Sequence, residues 1–337
     1  MFEPAPPPQR MNVTDTLAPA WQHMTRMLFR PFELGKWFAL GLMVFMEMLG
    51  QTGGGSFGIP DPGGGGGWPT TEPGGIADAI DKGVRWIGEN LGLVLATAIP
   101  LTLAGLAMFA VVVWLSARAQ LMFARAVATD DANLGRNWRG TAGATKSLFL
   151  FRLALEGAVL GLVLGGLGVL FWLAYLLLRR NETDWTVYVM QLGPIVLVWV
   201  ALLMIPGIVS TLLRSFVVPL MLRLGVPCTD AWRHFARIVR DSVGPLVLFV
   251  VLRGLFAIVF GFVNLLVILL TCCIGALPVI NQAVTAPYHV FERAWSLLAL
   301  RSLGPEYDLM AQDESFAAGC HAGPRLPPPS PGGWGRT

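Results

Sequence analysis

The sequence predicts an all-α, polytopic membrane protein, with six transmembrane helices set as three hairpin repeats, each preceded by an amphipathic interfacial helix. Three observations carry that prediction. Of the 337 residues, 54% are hydrophobic and only 13% charged, against roughly a quarter charged in an ordinary soluble domain. Mean hydropathy is +0.61, and several apolar runs reach the ~18 residues expected of a spanning helix. Lys and Arg fall on alternate sides of those runs, 19 on one side and 4 on the other. The same composition excludes other classes. There is no Gly-X-Y period, four cysteines are too few for a disulfide framework, and a net charge of +3 is too weak to imply a nucleic-acid partner.

In chain order, the Pro-rich residues 1–12 are expected to be disordered, and a membrane domain covers 13–303. Its spans are read at 34–50, 91–115, 147–178, 187–213, 243–270 and 278–300. The first is the weakest, short and interrupted by Glu47. Pro100, Pro194, Pro206 and Pro287 lie inside spans, where neighbouring helices can satisfy the freed carbonyls. No cleavable signal peptide is visible ahead of the first apolar run. The basic residues between the second and third spans, between the fourth and fifth, and at both ends place both termini in the cytoplasm.

Residues 50–75 hold 12 glycines and 4 prolines and predict a flexible outer loop. A nucleotide site is excluded there, since no Lys-Ser/Thr follows the glycines. The tail 304–337 is rich in Pro and Gly and is expected to be disordered, with Pro327–Pro329 available to a protein partner.

A short pattern recurs. Ala20-Trp21-Gln22-His23-Met24-Thr25-Arg26-Met27 matches Ala231-Trp232-Arg233-His234-Phe235-Ala236-Arg237-Ile238, and a weaker copy opens at Trp138-Arg139. Each precedes an odd-numbered span. Even-numbered spans end alike, at Arg125, Arg223 and Arg293. In the last copy Trp232, Phe235 and Val239 form an apolar stripe, while Arg233, Arg237 and Arg240 lie on another face. Such a helix either lies in the interface, its arginines contacting lipid headgroups, or connects spans by packing on the bundle.

The candidate site residues are polar groups in apolar runs. Asn281, Thr285, His289 and Glu292 fall at i, i+4, i+8 and i+11 of the sixth span. A polar group facing lipid is costly, so this stripe faces the bundle or water. It either lines a solute path, with His289 and Glu292 exchanging protons, or fixes helices together. Arg253 is charged deep in the fifth span. Glu156, at similar depth, is its expected partner, with Arg152 as a competitor and Glu292 and Glu47 predicted at other levels. Gly157, Gly161 and Gly165 offer a face for close helix packing, within the bundle or between two copies. Cys272-Cys273 reads as two packed thiols. No catalytic signature, metal-ligand cluster or cofactor motif is found.

Two segments carry a resemblance. Arg30-Pro31-Phe32-Glu33-Leu34-Gly35-Lys36-Trp37, followed by a span and a glycine-rich loop, resembles an uncharacterised group of prokaryotic multi-pass proteins. Val218-Pro219-Leu220 through Cys228-Thr229-Asp230-Ala231-Trp232-Arg233 is similar to the six-span membrane domain attached to some glycerophosphoryl diester phosphodiesterases. The resemblance covers roughly residues 21–303 and lacks the phosphodiesterase barrel. It implies membrane architecture in a prokaryotic inner membrane and no activity. The functional expectation is a non-enzymatic protein, without cofactor, that organises or assists an envelope process through lipid-contacting helices. The alternative is a transporter of a small solute or lipid that uses the sixth-span stripe.

Overall fold

Helices form where apolar and straight-chain residues run unbroken, and they end where the sequence removes a donor or a side chain. The computed structural model describes residues 11–49, 73–179, 185–270 and 277–310. Its helices are α1 Leu17–Phe29, α2 Leu34–Leu49, α3 Pro73–Glu89, α4 Leu91–Ala128, α5 Leu134–Gly140, α6 Ala142–Arg179 and α7 Trp185–Leu212. A π-helical turn at Leu213–Val217 leads into α8 Val218–Leu224, α9 Cys228–Asp241, α10 Val243–Leu270, α11 Pro278–Val284 and α12 Ala286–Arg301. Among the described residues there is no strand. Asn133 starts α5 by accepting the Arg136 amide at 3.1 Å. Gly225, at φ +67°, closes α8 in the left-handed conformation that glycine adopts without strain. Pro287 has no N–H for the Ala283 carbonyl, which separates α11 from α12 at Thr285.

Four helices are long and apolar enough to cross a membrane: Leu91–Ala128, Ala142–Leu176, Val189–Leu224 and Val243–Leu270. The segments read as first and sixth spans are not among them. The 16 residues of α2 rise about 24 Å, short of a ~30 Å hydrocarbon core. The sixth run is divided into helices of 7 and 16 residues, and α12 is covered by protein along nearly all its length. The second run, expected to stop near 115, continues to Ala128, with its last turns buried inside the protein.

The core lies where α1, α2, the second half of α4, α8, α9 and α12 converge. An aromatic ladder sets α10 against α12. Phe249 meets Trp295, Phe256 meets Phe291 and Phe260 stacks on Tyr288, so numbers rise on one helix as they fall on the other. The two therefore run antiparallel. Alongside α4, α2 is tied by Lys36–Asp130 at 2.9 Å and by Ser116, which donates to the Glu47 carbonyl. The apolar stripe of α9 is seated on protein: Phe235 stacks on Phe216 at 5.4 Å and Trp232 lies 5.8 Å from Phe151.

The described residues at the two ends pack on the helices. Met11 and Val13 are buried, and the Trp295 indole donates to the Val13 carbonyl at 2.9 Å. Past residue 303, Arg223 donates to the carbonyls of Pro305 and Glu306, and Arg301 pairs with Asp308 at 3.1 Å. Pro73–Gly75, read as loop, open α3. The remaining glycine-rich loop, the Cys272-Cys273 pair and residues 311–337 with Pro327–Pro329 lie outside the described residues.

Candidate functional site

A buried ionic network occupies the centre of the bundle. Glu47, on the buried face of α2, accepts at Oε1 from Arg293 Nη2 at 2.9 Å, and Arg214 Nε forms an ion pair with the same oxygen at 2.9 Å. The π-helical turn accounts for the second anchor of Arg293. The Val218 amide bonds to Leu213 rather than Arg214, so the ladder bypasses the Arg214 carbonyl, and Arg293 Nη1 donates to it. Arg152 Nη1 donates to Ser116 Oγ at 2.6 Å, and its Nη2 lies 3.3 Å from Glu156 one turn away. Arg253 pairs with Glu292 and donates to Ser215 at 3.1 Å. Buried carboxylates and guanidinium groups persist only when paired in this way.

Beside the network lies a part-open cavity of about 580 Å³, bordered by α6, α7, α10, α11 and α12. Its charged and polar lining comprises Glu156, Ser210, Thr211, Arg214, Arg253, Asn264, Asn281, Gln282, Thr285, Tyr288, His289 and Glu292. The side-chain oxygens of Asn264, Asn281 and Gln282 and Nδ1 of His289 are buried, and no hydrogen-bond partner for them is found among the described residues. Buried polar atoms are normally satisfied, so these four call for partners from water or a solute, and for the three amide oxygens those partners are donors. Thr285 donates to the Asn281 carbonyl at 2.8 Å and so packs its hydroxyl along the helix.

The sequence-predicted stripe of Asn281, Thr285, His289 and Glu292 thus reaches one cavity. Glu47, Glu156 and Arg253 are all in or beside the same network, but the expected pairing of Arg253 with Glu156 does not occur. Glu156 is held by Arg152 at i−4, and Glu292 stands level with Arg253 because α12 runs antiparallel to α10. Sequence reasoning placed Arg152, Arg214 and Arg293 among the cytoplasmic basic residues, whereas all three are buried. A signal was present in Arg214 and Arg293, each embedded in an apolar stretch, and in Asn264, a lone amide in the fifth run. Gly157, Gly161 and Gly165 meet no atom within 4 Å of a built Cβ, so they pack no helix among the described residues. Close approach occurs instead at Gly166 under Trp199 and at Gly41, where a Cβ would lie 2.6 Å from the Ala283 Cα. Arg233, Arg237 and Arg240 are exposed on α9, and Arg233 pairs with Asp230 at 2.8 Å.

Outside the spanning helices, burial pushes the Cys228 thiol up to about 12, which keeps it protonated and unreactive. Among the described residues no three His, Cys, Asp or Glu side chains gather closely enough to hold a metal ion. No curated protein and no solved structure matches the chain. Residues 11–284 match the model of a family of unknown function, DUF7544, and with most of its length inside that match the chain belongs to this family.

Proposed function

We propose that the protein is a membrane solute carrier whose binding site is the polar cavity beside the sixth run, in a six-span topology of three hairpins with both termini cytoplasmic. The observation that carries this reading is the cavity itself. A stripe that only fixed helices would bond to them, yet Asn264, Asn281, Gln282 and His289 keep buried polar atoms without partners at the wall of a space about 580 Å³ in volume. That volume falls in the ~300–1,000 Å³ range of small-molecule sites. The reading is a non-enzymatic one, of binding and passage without bond-breaking.

A second reading has its own support. The exposed Arg233, Arg237 and Arg240 give α9 a basic outer face suited to anionic headgroups, which fits a protein that organises a membrane process through lipids or a partner of the Pro-rich tail.

Thiol labelling separates the two. With Cys228, Cys272, Cys273 and Cys320 replaced, a Gln282→Cys variant in native membranes is treated with a charged, membrane-impermeant reagent. Modification that a Leu101→Cys variant on the lipid face escapes is expected of a wet solute site. Protection of position 282 from both sides would leave only the organising role.

A further inference from the structure

We propose that the cavity takes a small organic monoanion carrying hydroxyl donors, with Arg214 holding its anionic group. This rests on the cavity being the solute site and adds the class of solute.

The charge balance around Glu47 is the starting point. Arg214 and Arg293 share a single carboxylate oxygen, so that triad carries one surplus positive charge. Arg293 is absorbed into the interior, where it donates to the Arg214 carbonyl and lies over the Phe123 ring. Arg214 lines the cavity. Its Nε is engaged by Glu47, and among the described residues its terminal nitrogens donate no hydrogen bond. With the adjoining pairs counted, Arg152, Arg214, Arg253 and Arg293 face Glu47, Glu156 and Glu292, so one positive charge of the network is unmatched, and an anion entering the cavity meets it at the terminal N–H groups of Arg214. Arg253 offers no second surplus, because Glu292 is its own partner. Glu156 and Glu292 also face the cavity and repel further negative charge, which favours one charge over two.

The opposite need arises at the remaining polar wall. The carbonyl oxygens of Asn264, Asn281 and Gln282 are acceptors awaiting donors, and Nδ1 of His289, a residue only 6% exposed, is a further polar atom awaiting a partner. A bare anion such as chloride would leave them unsatisfied, whereas a hydroxy acid anion would satisfy both walls.

Four probes of one three-carbon skeleton test this: glycerate, glycerol phosphate, glycerol and 3-aminopropane-1,2-diol, titrated calorimetrically into the full chain in lipid nanodiscs at pH 8. Glycerate is expected to bind at least ~10-fold more tightly than glycerol or the amine, and more tightly than dianionic glycerol phosphate. Arg214→Gln should erase the preference. Because that change also disturbs Glu47, Gln282→Glu serves as the second variant: it adds a carboxylate without touching the ion pairs and should likewise remove the preference. Equal binding of the neutral probe, tightest binding of the amine, or a preference for glycerol phosphate would each overturn the monoanion. Failure of all four to bind, while the Gln282→Cys variant is still labelled from water, would overturn it too and leave the wet cavity standing.

Discussion

The two halves of α4 have opposite surroundings. Along 91–112 the helix turns Leu93, Leu95, Ile99, Leu101, Leu103, Leu106 and Met108 outward, and Leu101 is 76% exposed. Along 113–128 most residues are buried, and Ser116, Ala117, Ala119, Gln120, Ala124 and Ala126 stand there among Leu121, Met122 and Phe123. A soluble protein would do the reverse. Here large aliphatic side chains cover the surface offered to lipid, while polar residues such as Ser116 and Gln120 are confined to the buried half beside the ionic interior, because lipid gives no hydrophobic drive for helices to associate. Stability should therefore be insensitive to the apolar half and sensitive to the polar one.

The largest expected effect is at Glu47. Glu47→Ala removes the carboxylate shared by Arg214 and Arg293 and leaves two buried cations without it, a change that costs about 3–5 kcal/mol where it has been isolated. Thermal unfolding in detergent should show a large fall in melting temperature, partly recovered by adding Arg293→Met. A fall no greater than that of Leu101→Ala would mean the network contributes little.

Next comes Gly41. A leucine there must displace the Ala283 backbone, which lies 2.6 Å from a built Cβ, so Gly41→Leu should destabilise by about 1–3 kcal/mol. Gly105, in the exposed half of α4, has open space around it, and Gly105→Leu should stay within about 0.5 kcal/mol. Gly161→Leu on α6 should be equally silent. If its melting falls by more than about 1 kcal/mol, a second copy of the chain packs on that face, and loss of a cross-linked dimer would show it.

This contrast also explains what the sequence made legible. The long runs of α4, α6, α7 and α10 were plain, because an unbroken lipid-facing surface writes itself as hydropathy. The stripe from Asn281 to Glu292 was plain because its spacing is that of one helix face. What escaped was pairing across helices. Arg214 and Arg293 looked like loop charges, since a positive charge at the end of an apolar run is the usual mark of the cytoplasmic side. Their burial depends on the carboxylate of Glu47, 246 positions from Arg293 in sequence, and on a carbonyl freed by one π-helical turn. Neither leaves a local pattern. Glycine spacing misled for the same reason: three glycines on one face announce room for a neighbour, not that one is present.

The smallest expected effect concerns how α1 docks onto the buried end of α4. His23 Nε2 donates to the Val127 carbonyl at 2.9 Å, and Arg26 Nη2 donates to Nδ1 at 3.3 Å, so the ring sits as a neutral tautomer between an acceptor and a cation. Burial lowers its pKa from the ordinary value of 6.5, against the raising effect of the Val127 bond, and the Arg26 charge lowers it further. His234 of α9 has the same 3.3 Å contact from Arg237. A folded-state pKa below the unfolded one means the unfolded chain binds more protons as pH falls through 6.5. Stability from this group is thus complete above that pH and declines below it. Between pH 8 and pH 5.5 the melting temperature should drop by about 1–2 °C more in the native chain than in a His23→Gln variant, whose amide can still donate to Val127 but cannot titrate. Identical pH profiles for the two proteins would show that α1 is held by Trp21 and Met24 rather than by the ring.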